Sequence, residues 1–77
     1  MNTNKFDVLK SCVQEIIDFL AVGKTIEAII KIKMAEEILD ELLDFATEKQ
    51  DLLIIRQYEL LLKQLKVKAN QIDVQKN

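Results

Sequence analysis

At 77 residues the chain has room for one domain, of a size that leaves stability marginal unless something reinforces it. One cysteine and no histidine exclude an internal disulfide and any standard zinc site, so oligomerisation is the reinforcement that remains. The net charge of −2 gives no overall attraction to nucleic acid or to an anionic membrane. Residues are 49% hydrophobic but only 5% aromatic, so the apolar surface is aliphatic and abundant for so short a chain. Met1 to Asn4 is polar, without the layout of a signal peptide, and no apolar run exceeds four residues, as at Leu52 to Ile55. The expectation is a cytoplasmic protein, to which the unpaired Cys12 adds weak support.

With no proline and only Gly23 as glycine, long helices follow, and their ends must be found from caps. A first helix is expected over about 5–22, capped by Thr3 or Asn4 and closed by Gly23 in the left-handed conformation. Phe6, Leu9, Val13, Ile16, Ile17 and Leu20 form its apolar stripe. Thr25 then caps a second helix over about 25–46. Ala28, Ile32, Ala35, Leu39, Leu42 and Ala46 fall within about 80° of one another there, and Met34, Ile38, Leu43 and Phe45 widen the face. Alanines along its centre let a neighbouring helix approach closely. Thr47 and Gln50 make a capping box that opens a third helix over about 48–69, with Asn70 to Asn77 as a frayed tail. Ile54, Ile55, Tyr58, Leu61, Leu62 and Leu65 form its inner face. The expected fold is all-α, a three-helix bundle in which helices 2 and 3 make a long antiparallel hairpin, with the shorter first helix packed across it.

A second stripe on helix 3 stands apart. Leu53, Leu60 and Val67 recur every seven residues and point roughly 150° to 180° away from the inner face, flanked by Arg56, Gln57, Lys63 and Gln64. Either helix 1 covers this line, or it is a seam for another helix, from a second copy or a different protein. The seam is the favoured expectation, with a homodimer as its first form.

Charge is distributed lengthwise. Lys24, Lys31 and Lys33 begin helix 2, and Glu36, Glu37, Asp40, Glu41 and Asp44 end it, against the preference of its macrodipole. In a hairpin, Glu48 and Asp51 join the acidic end, and Lys63, Lys66 and Lys68 return to the basic end. An antiparallel first helix would offset this by bringing Lys5 and Lys10 to the acidic end and Glu15 and Asp18 to the basic one. Two hairpins could also associate head to tail, each basic end on an acidic one. The runner-up function, nucleic-acid binding at the basic end, lacks a recognisable recognition helix with a short tight turn.

Chemistry is poorly provided for. Gly23-Lys24-Thr25 resembles the end of a phosphate-binding loop, yet Asp18 stands where that motif needs a glycine and a helix precedes it where a strand should. Carboxylates at Glu36, Asp40 and Asp44 have the spacing of a hard-cation site but no Glu-x-x-His partner. Ser11 and Cys12 have no imidazole to activate them. No catalytic residue, metal or cofactor is therefore expected. Gly23 to Ala35, with Ala28, Ile32 and Ala35 at fixed distances from the glycine, resembles the helix-turn-helix core of tetratricopeptide repeats and of microtubule-interacting and trafficking domains. The likeness spans about 13 residues, departs at Thr25 where an aromatic residue is usual, and occurs once, which excludes a solenoid. It implies only that a helical hairpin can offer a groove to a peptide helix.

Overall fold

The computed structural model describes residues 5–75, with side-chain burial through Gln71. It is all-α: α1 (Asp7–Ala21), α2 (Thr25–Phe45) and α3 (Lys49–Gln75), with no strand among the described residues. Nor is any helix there long and apolar enough to cross a membrane. The expected caps at Thr3 and Asn4 lie outside the described residues.

Apolar residues recurring every three or four positions place one stripe of each helix inside. Leu9, Cys12, Val13, Ile16 and Leu20 of α1, joined by Phe6, meet Ala28, Ile32, Ala35 and Leu39 of α2 and Ile55, Leu62, Leu65 and Ala69 of α3 in one core. α2 is central and packs on both other helices, whereas α1 and α3 touch little. The residues that lead into α1 also reach α3. The Phe6 ring stacks on Tyr58 with centroids 6.3 Å apart, and the Lys5 ammonium pairs with the Asp51 carboxylate, which is largely buried.

The connection from α1 to α2 is a Schellman turn. Lys24 N–H donates to the Phe19 carbonyl at 2.8 Å and Gly23 N–H to the Leu20 carbonyl at 3.2 Å, with Gly23 at φ +78°. Other ends differ from expectation. Thr25 is already the first residue of α2 and caps nothing: the residue before it, Lys24, has no side-chain cap bond, and the Thr25 hydroxyl is buried without a partner. α3 begins at Lys49, so Glu48 rather than Thr47 precedes it, and the Glu48 carbonyl accepts from Leu52 N–H at 3.2 Å. α3 also continues through Gln75 instead of fraying from Asn70, and Ala69 within it is fully buried. Met34, Leu43 and Phe45, expected on the inner face of α2, are exposed, Phe45 at 83%. Ile17 is likewise exposed on α1.

At 1.5 Å per residue, the 27 residues of α3 span about 40 Å, against about 22 Å for the 15 of α1. The molecule's longest dimension, 45 Å, is therefore set by α3. Its companions are too short to wrap it.

Candidate interaction surface

Leu53, Leu60 and Val67 are exposed at 62%, 59% and 52%. At about 100° per residue they share a line opposite the direction of Ile55, Leu62, Leu65 and Ala69, which face the core. α1 does not cover them. Arg56, Gln57 and Gln64 beside them are exposed as well. Between two members of the line, Leu60, Lys63, Gln64 and Val67 frame a recess of about 330 Å³.

A larger groove of about 800 Å³ lies between α2 and α3, and Leu60 is on its edge. Its α2 wall carries Lys33, Glu37 and Asp40, and its α3 wall carries Arg56, Glu59 and Lys63. Across it Lys66 approaches Glu36 at 4.0 Å. Acidic and basic side chains thus share one groove.

The six lysines of the expected basic end are divided. Lys33, Lys63 and Lys66 line the groove among carboxylates. Lys31 turns to α1 and donates to Glu15 at 2.6 Å; that hydrogen bond, opposed by partial desolvation, holds the Lys31 ammonium pKa above its usual value. Lys24 precedes α2, and Lys68 is two residues past Lys66, about 200° round the helix. Of the acidic set, Glu36 is half-buried, while Glu37, Asp40, Glu41 and Asp44 are exposed along the second half of α2. Among the described residues, no three carboxylates or thiols gather closely enough to hold a metal ion. The ion pairs Lys5–Asp51 and Lys31–Glu15 are those expected if α1 brings its charges to the opposite ends of its neighbours.

Ile26, Ile30 and Met34 form a further exposed apolar line that sequence reasoning missed. Their spacing of four places them on one side of α2, facing away from Ala28, Ile32 and Ala35. A wheel drawn through all the α2 isoleucines would have found it.

Searches against protein-family models, curated proteins and solved structures returned no match. The short likeness of Gly23 to Ala35 to the helix-turn-helix core of known repeats accordingly assigns no family, and the functional reading rests on surface chemistry alone.

Proposed function

We propose that this chain is a non-enzymatic, cytoplasmic helical interaction module in which α2 and α3 act as an antiparallel hairpin, and that it self-associates through Leu53, Leu60 and Val67. The observation that carries this reading is the exposure of all three side chains at heptad spacing on the side of α3 turned from the core. Side chains that recur every seven residues keep one bearing along α3, so another helix can meet all three, where scattered surface leucines would offer one contact each. The module would act by occupying the surface of a partner, as a small regulator or adaptor does, with the seam serving self-association or partner capture.

Sedimentation or light scattering over a concentration series tests it. The wild-type chain is expected to reach twice its subunit mass by high-micromolar concentration, and Leu60→Asp to stay monomeric with its helical circular dichroism intact. An Ile30→Asp variant, altered on the unrelated α2 line, should associate like wild type. A wild-type monomer throughout the series contradicts the proposal.

A further inference from the structure

We infer that the two copies meet through α3 in antiparallel orientation, with Leu60 of each seated in the recess framed by Leu60, Lys63, Gln64 and Val67 of the other; the inference rests on self-association through the seam. These four residues stand at i, i+3, i+4 and i+7, the arrangement that makes the hole for a knob when two helices pack side by side. The recess is open in the subunit, and its apolar walls are two members of the exposed line. Its exposed lining is almost wholly apolar, so an apolar side chain fits it. The same line on a second copy supplies one.

Charge selects the direction. Taking Leu53, Leu60 and Val67 as the a positions of a heptad puts Arg56 and Lys63 at d, with Glu59 and Lys66 at g. A parallel pair sets each d residue against its own copy, so Arg56 would face Arg56 and Lys63 would face Lys63 in the middle of the contact. An antiparallel pair sets d against a. Lys63 then lies beside Leu60 of the second copy, Arg56 beside Val67, and Asn70 beside Leu53. The aliphatic stems of the two cations cover the apolar chains while their charged ends reach water. The g positions also meet across an antiparallel contact, so Glu59 comes opposite Lys66 of the second copy, twice by symmetry. The parallel arrangement offers Glu59 only Gln64.

Disulfide trapping reads the geometry directly. Leu53→Cys and Asn70→Cys chains, mixed and oxidised, are expected to give a mixed disulfide dimer in excess of what either gives alone, and Arg56→Cys with Val67→Cys to do the same. Buried Cys12 in the wild type serves as the uncrosslinked control. Light scattering on the reduced variants checks that they still associate. Leu53→Cys linking to itself, with no excess in the mixture, overturns the antiparallel geometry while leaving self-association standing; a wild-type chain that never dimerises overturns both. As a second reading independent of cysteine, Glu59→Lys should raise the dimer dissociation constant by roughly threefold to tenfold, the size of two exposed ion pairs. A constant unmoved by Glu59→Lys also contradicts the arrangement.

Discussion

Gly23 stops α1 because the chain must adopt a positive φ there to return two N–H groups to the last turn, a conformation that costs a side-chain-bearing residue but not glycine. A Cβ added at this position would meet nothing within 4 Å, so only the backbone term remains. Gly23→Ala should therefore lower the unfolding free energy by about 1–2 kcal/mol, measured by chemical denaturation, without altering helix content in the native state. A loss well above that range would mean that the turn also carries packing. Thr25 shows the opposite kind of residue effect. Its hydroxyl is buried in the first turn of α2 without a hydrogen bond to another protein group, although the sequence alone made it an obvious cap.

For a helix, the two apolar lines of α3 have unequal weight. Leu62 is among the largest fully buried side chains, packed in the core, whereas Leu53 projects from the opposite side. Leu62→Ala is expected to destabilise the subunit by about 2–5 kcal/mol, while Leu53→Ala, assayed in dilute solution, should change it by less than about 0.5 kcal/mol. Equal effects would place Leu53 in the core and remove the reason for calling its line unpartnered. The division was legible in the sequence because a heptad repeat on α3 is well separated in angle from the inner stripe. On α2 the same method failed in part. Phe45 lies six residues past Leu39, about 120° round the helix, yet its size made it a natural core residue. Ile26 and Ile30 were hidden in a stretch where Ile29 and Ile32 do face inward, so apolarity alone could not separate the two sides. The far end of α3 was also missed, although Ala69 follows Leu62 by seven residues and Leu65 by four and so continues the inner stripe; a small side chain among polar neighbours carries little weight as a core signal.

Taken as a whole, the molecule is a central α2 with α1 packed against it on one side and a longer α3 on another. α2 shields one side of α3, Phe6 and Lys5 just ahead of α1 reach Tyr58 and Asp51 on it, and the outer side keeps Leu53 and Leu60 exposed. The sequence suggested that charge is separated lengthwise, yet the lysines of the expected basic end are divided between the α2–α3 groove and other partners. What it could not show is that the groove between α2 and α3 gathers both signs, because that depends on which side chains meet across two helices. The position of α1, which decides whether the outer line is free, was equally beyond periodicity, since the stripe of α1 fits either location. The most direct test of the central claim, that a second copy binds the outer line of α3, is a dilution series followed by the methyl resonances of the chain. Leu53, Leu60 and Val67 should shift together between high-micromolar and low-micromolar concentration, while Ile26 and Ile30 stay in place. Methyl signals on α3 that do not move, or movement confined to Ile26, Ile30 and Met34, would contradict it.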